Sequence, residues 1–276
     1  RWNRYNGSSW GEASTAGLTH GGSCALADDG TALVWWSLND DRYAATLSPD
    51  NQWSAAKTVR ASGYGWGLSR YGNGFMALIE TKDDARVYSH VYHPTQGWLP
   101  PKPVTAAGAG VNYVSFDTSQ SAAVFTWNDD AAVVMAAAFD GSAWKSHELG
   151  PAPLMFGTSA RVGKLGHLVA WRYQGAAYVE RYSLQSGWQG PAKLGTTNGE
   201  DYGPAIEVDD TGNAFGAWVN GASIDWRRSS HTDDKWSEVQ HIADQDPYTV
   251  WSSVDAAGNI MLLWSNPLGI WASRFE

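Results

Sequence analysis

Tryptophan recurs along this chain at nearly constant intervals. Six of the 17 tryptophans begin stretches of similar length, at spacings of 43, 45, 46, 44 and 48 residues: Trp10, Trp53, Trp98, Trp144, Trp188 and Trp236. We call this set the first ladder. A second ladder of similar period runs out of phase with it and contains Trp36, Glu80, Trp127, Trp171, Trp218 and Trp264. Two interleaved ladders of one period indicate that a supersecondary unit of about 46 residues (276/6) is repeated six times.

The fifth unit shows most clearly what each repeat contains. Its predicted strands A, B and C are residues 203–208, 213–219 and 223–229, and strand D begins at Trp236. The turns between them, Asp209-Asp210-Thr211-Gly212 and Asn220-Gly221, are hairpin sequences because Asn, Asp and Gly tolerate positive φ. Aromatic and β-branched residues fill the strands, and no stretch keeps a helical periodicity. The sequence therefore predicts an all-β, six-bladed β-propeller of four-stranded blades.

The two ends of the chain each hold part of a unit. The first residues match the end of strand C followed by strand D at Trp10, and residues 270–275 match strand C of the sixth unit. We therefore expect a single domain over residues 1–276, whose ring is closed when the N-terminal strand completes the last blade. An unpaired outer strand would leave backbone N–H and C=O groups without partners.

Composition narrows the class of partner and the compartment. The net charge of −9 argues against nucleic acid, because phosphates are neutralised by Lys and Arg, and no apolar run is long enough to span a membrane. The richness in Trp, Ser, Gly and Asn and the start at Arg1 favour a bacterial secreted or cell-surface protein. Cys24, the only cysteine, lies in a predicted inner strand, where we expect a buried and inert thiol.

Sorting residues by their loops predicts one ligand-binding face, formed by the D-to-A and B-to-C loops of a propeller. Counting back from the second ladder without gaps places Tyr64, Tyr202 and Tyr248 at one equivalent position before strand A. The aromatic residues assigned to this face are Tyr64, Trp66, Tyr113, Tyr202, Tyr248 and Trp251, and the B-to-C turns add Asp83, Asp84, Asp129 and Asp130. Rings stack on the C–H face of a pyranose and carboxylates bind hydroxyl groups, so the predicted ligand is a glycan or polysaccharide. Turn formation alone also explains the aspartates, and packing around the channel mouth also explains the rings.

Glu80 replaces the aromatic ring at one position of the second ladder, and we count it among the ligand-binding residues. It is also the best carboxylate for a catalytic alternative, in which the remaining groups would be Glu200, Asp201 and an arginine among Arg42, Arg60, Arg70 and Arg172. The chain contains no Gly-x-Ser-x-Gly, phosphate-loop or Cys-x-x-Cys motif, and its acidic turns lack the pattern of a calcium loop. We therefore predict no catalytic residue, no metal and no cofactor.

The Asp-x-x-Gly-Asn turns at residues 209–213 and 255–259, together with the repeat length, resemble those of bacterial secreted propellers related to repeat lectins. This resemblance covers the whole chain and implies non-catalytic, lectin- or adhesin-like carbohydrate binding in several equivalent sites. The six-bladed sialidases are the enzymes with a similar architecture, but their Ser-x-Asp-x-Gly-x-Thr-Trp boxes do not occur here. Two alternatives stay open: a protein-interaction scaffold of a cell-surface or secreted assembly, and a sialidase-like glycosidase or polysaccharide lyase.

Overall fold

The computed structural model describes residues 3, 8–11, 22–60, 62–151, 157–183, 185–198, 203–231, 235–243, 246–255 and 257–276. These residues form β-strands and turns arranged in six antiparallel sheets, which confirms the predicted all-β class. The chain divides into two compact units, Arg1–Pro101 and Lys102–Glu276. Within the described residues, no helix is long and apolar enough to cross a membrane. The predicted N-terminal closing strand falls almost wholly outside the described residues, so ring closure and the single domain stay predictions.

The first unit contains two four-stranded meanders. The strands of the first sheet follow one another in chain order and are β1 (Gly22–Leu26), β2 (Ala32–Leu38), β3 (Asp41–Leu47) and β4 (Lys57–Arg60). The second sheet repeats this order with β5 (Gly63–Tyr71), β6 (Gly74–Thr81), β7 (Val87–His93) and β8 (Gly97–Trp98).

The second unit begins with β9 (Lys102–Pro103) and contains four more sheets. The third sheet is β10 (Asn112–Thr118), β11 (Ala123–Asn128), β12 (Val133–Phe139) and β13 (Trp144–Pro151). The fourth is β14 (Ser159–Val162), β15 (His167–Tyr173), β16 (Ala176–Ser183) and the broken outer strand β17 (Gly187–Trp188) with β18 (Ala192–Thr196), both paired with β16. The fifth is β19 (Ala205–Val208), β20 (Ala214–Asn220), β21 (Ser223–Ser229) and β22 (Gln240–Ala243). The sixth has three described strands, β23 (Thr249–Val254), β24 (Ile260–Asn266) and β25 (Gly269–Phe275).

The first three strands of the fifth unit agree with the sequence prediction to within two residues at each end. The fourth begins at Gln240 rather than at Trp236, which forms an isolated bridge with Ser229. The turn between the first two strands is organised by Asp209, whose Oδ1 accepts hydrogen bonds from the N–H groups of Thr211 and Asn213, at 2.8 and 2.9 Å. Gly212 has a φ of 85° there, in the left-handed region that favours glycine. The turn residues therefore act through local backbone geometry, as the sequence pattern indicates.

Hydrophobic clusters fill the space between consecutive sheets within each unit. The first ladder supplies rings to these clusters: Trp98 packs between the first and second sheets, Trp188 between the third and fourth, and Trp236 between the fourth and fifth. All the tryptophans of the second ladder are buried: Trp36, Trp127, Trp171, Trp218 and Trp264. These packed rings of both ladders therefore have a structural role, whereas Trp10 of the first ladder is 67% exposed.

The first strands of the second unit are also linked by polar side chains. Asp117 of β10 accepts a 2.8 Å hydrogen bond from the N–H of Val162 in the next first strand. Arg161 of β14 contacts Glu207 of β19 at 3.1 Å, and the other oxygen of Glu207 accepts a 2.9 Å hydrogen bond from the hydroxyl of Ser252 in β23. This polar chain crosses four consecutive sheets, from the third to the sixth.

The expected burial of Cys24 is wrong, because the residue is exposed. Side chains of a strand alternate between the two faces of its sheet. In β1 the neighbouring Ala25 packs against the cluster between the first and second sheets, so Cys24 lies on the opposite face. The sequence predicted the strand correctly, but it did not predict which face of the sheet is buried.

Candidate functional site: the end of the sheets that carries the aromatic residues

The loops assigned to one ligand-binding face lie at the same end of the sheets within each unit. In the first unit, the N–H of Gly63, at the start of β5, donates to the carbonyl of Asp40 in the β2–β3 turn, at 2.9 Å. The N–H of Ser62 donates to Asp41 Oδ1 at 2.9 Å. In the second unit, Asn112 Nδ2 at the start of β10 contacts Asp130 Oδ1 in the β11–β12 turn, at 3.2 Å. We call this end of each sheet the aromatic end.

Three of the predicted rings are half-exposed at the aromatic end: the exposed fractions of Tyr64, Tyr113 and Tyr248 are 50, 47 and 53%. Trp251, which is 51% exposed, pairs with Leu263 within β23 and lies on the exposed face of the sixth sheet that also carries Met261 and Leu263. Residues of this size are normally more deeply buried, and half-exposed rings at equivalent ends of three different sheets form surfaces on which a flat ligand can stack. Tyr202 lies outside the described residues.

The rings are not at one equivalent position, contrary to the prediction from gap-free counting. Tyr64 pairs with Glu80 of the second ladder, whereas the corresponding partner of Trp264 in the sixth sheet is Val250, and Tyr248 lies two residues earlier. The difference arises because β5 contains a bulge between Gly65 and Gly67, and because the following turn has two residues between Tyr71 and Gly74 but five between Val254 and Ile260. An extra residue in one strand shifts every position counted through it.

The predicted aspartates divide into two kinds. Asp129 Oδ1 accepts hydrogen bonds from the N–H groups of Ala131 and Val133, each at 2.9 Å, and so holds its own turn. Asp84 binds the hydroxyl of Thr81 and, at 2.9 Å, that of Tyr88; the hydrogen bond from Thr81 is the main reason that the pKa of Asp84 lies below its ordinary value. Asp83 and Asp130 are exposed. Turn formation therefore explains Asp84 and Asp129, and among the four predicted aspartates only Asp83 and Asp130 are exposed.

A cleft of about 340 Å³ opens between the two sheets of the first unit at the aromatic end. We call it the first-unit cleft, and its lining residues are Gly22, Ser23, Trp35, Trp36, Arg42, Gly65, Trp66 and Gly67. The cleft needs glycine at position 65, since a Cβ built there would lie 2.4 Å from the Trp35 ring. Three indoles and one guanidinium thus surround a space of the size that small ligands occupy.

Glu80 and Arg42 give this cleft its polar character. The Trp66 Nε1–H donates a 2.9 Å hydrogen bond to Glu80 Oε2, so the carboxylate that interrupts the second ladder orients the indole of the cleft. Arg42 lies over the Trp35 ring, with its guanidinium carbon 5.9 Å from the ring centroid, and its Nε–H donates to the carbonyl of Gly63 at 3.0 Å. Lys82 pairs with Asp40 at 2.6 Å and lies 5.3 Å from the Tyr64 ring centroid.

Of the groups of the catalytic alternative, Glu80 and Arg42 lie at this cleft. Arg70 lies at the other end of β5, where it pairs with Asp28, and Glu200 and Asp201 lie outside the described residues. Within the described part of the chain, no group of three or more His, Cys, Asp or Glu side chains could hold a metal ion. Trp35 and the glycines were not predicted from the sequence as lining residues; the adjacent tryptophans opposite a glycine-rich strand were the signal that could have indicated the cleft.

The six sheets of sequential antiparallel strands define a β-propeller, and comparison with solved structures shows the same fold. A lectin from Burkholderia pseudomallei, BP39L, is similar over 98% of this chain and 86% of its own, with a TM-score of 0.64 at 13% identity. The Dos1 propeller is similar over 91% of this chain and 67% of its own, with a TM-score of 0.62 at 10% identity. Hydrazine synthase of Kuenenia stuttgartiensis is similar over 91% and 82%, with a TM-score of 0.56 at 11% identity. No protein-family model and no curated protein matches the chain.

These similarities establish the propeller fold of the chain and nothing finer. At 10–13% identity, a lectin, an enzyme and a further propeller share the same arrangement of sheets. Function in such folds belongs to individual sites, so it has to be argued from the aromatic end itself.

Proposed function

We propose that this protein is a non-catalytic, carbohydrate-binding propeller whose ligands bind at the aromatic end of its sheets. The observation that carries the proposal is the set of half-exposed rings at this end, Tyr64, Tyr113 and Tyr248, together with the indole-lined first-unit cleft. Sugars present C–H faces to aromatic rings and hydroxyl groups to polar side chains, and this end offers both kinds of contact. The similarity to a propeller lectin supports the proposal at the level of the fold.

Binding at one ring is expected to be weak. A shallow sugar site buries little apolar area, and its hydrogen bonds replace hydrogen bonds to water almost one for one. Repetition compensates for this weakness, because linked sites can raise the apparent affinity by roughly 10²–10⁴ when a glycan spans several of them. The proposed ligand is therefore a multivalent or polymeric glycan.

A glycan array with the purified chain tests the proposal, followed by titration of the best ligand with ring variants. Tyr64→Ala and Tyr248→Ala remove half-exposed rings at this end, so the fold is expected to stay intact. Each change is expected to weaken binding about fivefold, which corresponds to about 1 kcal/mol of stacking energy, and the double change more strongly. Leu26→Ala is the matched control, because it removes a side chain that is 62% exposed at the other end of β1.

Two results would overturn the proposal: the parent binds no glycan on a broad array, or both ring variants bind as tightly as the parent. In either case the exposed rings would be better explained as contacts for a protein partner. The comparison is valid only if the Leu26→Ala variant binds the glycan with the same affinity as the parent.

A further inference from the structure

Two arginines lie directly opposite each other at the aromatic end of the first sheet. Arg42 of β3 and Arg60 of β4 are partners across the two strands. The Cβ atoms of such partners are about 4.5–5.5 Å apart, and like charges in this arrangement destabilise a sheet. Neither guanidinium forms an ion pair with a carboxylate in the described part of the chain. We call these two residues the arginine pair.

Both side chains of the arginine pair are held in place beside the second sheet. The Nε–H of Arg42 donates to the carbonyl of Gly63 at 3.0 Å, and its guanidinium carbon lies 5.9 Å from the Trp35 ring centroid. Arg60 passes the same glycine, since a Cβ built on Gly63 would lie 3.4 Å from its Cγ, and its guanidinium carbon lies 5.9 Å from the Tyr88 ring centroid. The Nη groups of Arg42 and the guanidinium of Arg60 donate to no described residue and are not buried. Positioned guanidinium groups with accessible donors are suited to an oxyanion.

Carboxylates of the neighbouring turns already have partners of their own. These contacts join Asp40 to Lys82, Asp41 to the N–H of Ser62, and Asp84 to Arg86 and the hydroxyl groups of Thr81 and Tyr88. Burial lowers the pKa of Arg42 below its ordinary value, and the charge of Asp40 opposes this effect without cancelling it. A further negative charge beside Arg42 would therefore stabilise its charged form.

The arginine pair adjoins the first-unit cleft, because Arg42 also lines that cleft together with Trp35 and Trp66. A ligand group on the arginine pair could therefore belong to a molecule whose ring occupies the cleft of about 340 Å³.

We propose that the arginine pair binds a sulfate ester of a glycan whose sugar ring occupies the first-unit cleft. A sulfate ester offers three oxygens to two guanidinium groups, whereas one guanidinium already satisfies both oxygens of a carboxylate. The net charge of −9 opposes this binding only weakly, because charges more than about 8 Å away are screened at physiological ionic strength. The inference rests on the proposed function, since it assigns one substituent of the glycan to named residues.

Calorimetric titration of the full chain at physiological ionic strength tests the proposal with four probes: dextran sulfate, carboxymethyl-dextran and dextran of matched length, and sodium sulfate. Dextran sulfate is expected to bind at least about tenfold more tightly, per charged group or sugar unit, than each of the others, because only it makes both the sulfate and the ring contact.

Variants of the arginine pair locate the effect. Arg60→Gln is expected to weaken dextran sulfate binding about tenfold, and the fold should stay intact because this guanidinium donates to no described residue. Arg60→Lys should recover only part of the loss, since an ammonium lacks the planar fork of donors. Arg70→Gln is the matched control: it makes the same charge change at the other end of β5, where Arg70 pairs with Asp28, and should leave the affinity unchanged.

The outcomes separate this inference from the proposed function. If the parent binds unsulfated glycans on the array but dextran sulfate no more tightly than dextran, only this inference is wrong. Equal binding of carboxymethyl-dextran or of sodium sulfate would also overturn it, because the arginine pair would then be a plain anion site. It is wrong too if Arg60→Gln binds dextran sulfate as the parent does, or if Arg70→Gln weakens binding equally. A parent that binds no glycan of either kind refutes both proposals.

Discussion

The contact between Arg161 and Glu207 offers the sharpest test of how the sheets of the second unit are held together. Glu207 is only 4% exposed, and its two oxygens are bound by Arg161 at 3.1 Å and by Ser252 at 2.9 Å. Arg161→Ala would leave a buried carboxylate with a single neutral partner. Breaking a buried ion pair from one side costs about 3–5 kcal/mol, and the lower end applies here because the Arg161 side chain is 35% exposed. We therefore expect a loss of about 3 kcal/mol at pH 7.

The burial of Glu207 also determines how the stability lost in Arg161→Ala depends on pH. Burial, reinforced by the charge of Asp117, raises the pKa of Glu207 above its ordinary value of 4.5, against the opposing effects of Arg161 and Ser252. A raised folded-state pKa means that the folded protein binds more protons than the unfolded chain above pH 4.5. The contribution of Glu207 to stability is therefore fully present below pH 4.5 and is lost as the pH rises through its folded-state pKa. Without Arg161 this pKa rises further, so the cost of Arg161→Ala should be larger at pH 7 than at pH 4.

Urea unfolding followed by circular dichroism and tryptophan fluorescence measures these changes, provided that the two transitions coincide. Adding Glu207→Gln to Arg161→Ala should recover part of the lost stability, because the amide removes the unpaired charge. Lys164→Ala is the control, since its exposed pair with Asp210 should contribute no more than about 0.5 kcal/mol. Equal losses from Arg161→Ala and Lys164→Ala, or no recovery in the double variant, would refute this account of the polar chain.

Three further predictions follow from the described residues. Cys24 is exposed, so a thiol reagent should label the native protein at one equivalent without denaturant; protection from the reagent would show that another part of the molecule covers it. Gly65→Ala should lower the melting temperature, because the added Cβ would lie 2.4 Å from the Trp35 ring, and a melting temperature equal to that of the parent would contradict the tight packing beside the first-unit cleft. Deletion of residues 1–15 should lower the melting temperature and promote association if the N-terminal strand completes the last blade, and unchanged stability and a monomeric state would argue against that closure.

The fold was predictable because its signals are local and repeated. In the fifth unit, the Asp209 turn and the Asn220-Gly221 turn fix where strands end, and the structure keeps those limits to within two residues. The spacing of Trp171 and Trp218 reports the repeat length directly, because each ring is buried between two sheets.

The candidate site was harder to predict because it depends on strand register and hydrogen-bond partners, which the spacing of residues in the sequence does not reveal. The bulge in β5 shifts Tyr64 relative to Tyr248, and a bulge is invisible when positions are counted without gaps. Asp129 and Asp130 are neighbours of the same residue type, yet Asp129 accepts hydrogen bonds within its own turn and Asp130 accepts one from Asn112 of another strand.

Because of where the first-ladder tryptophans lie, the repeat seen in the sequence is not the same as the cooperative unit of folding. Trp98, Trp188 and Trp236 each belong to one sheet but fill the cluster shared with the preceding sheet. The stability of such an array is therefore a sum over interfaces as well as over repeats, as in a one-dimensional chain of coupled elements. A single excised repeat would contain one side of each of two interfaces and would complete neither. Gene duplication could therefore add a stable blade to such a protein only next to an existing blade.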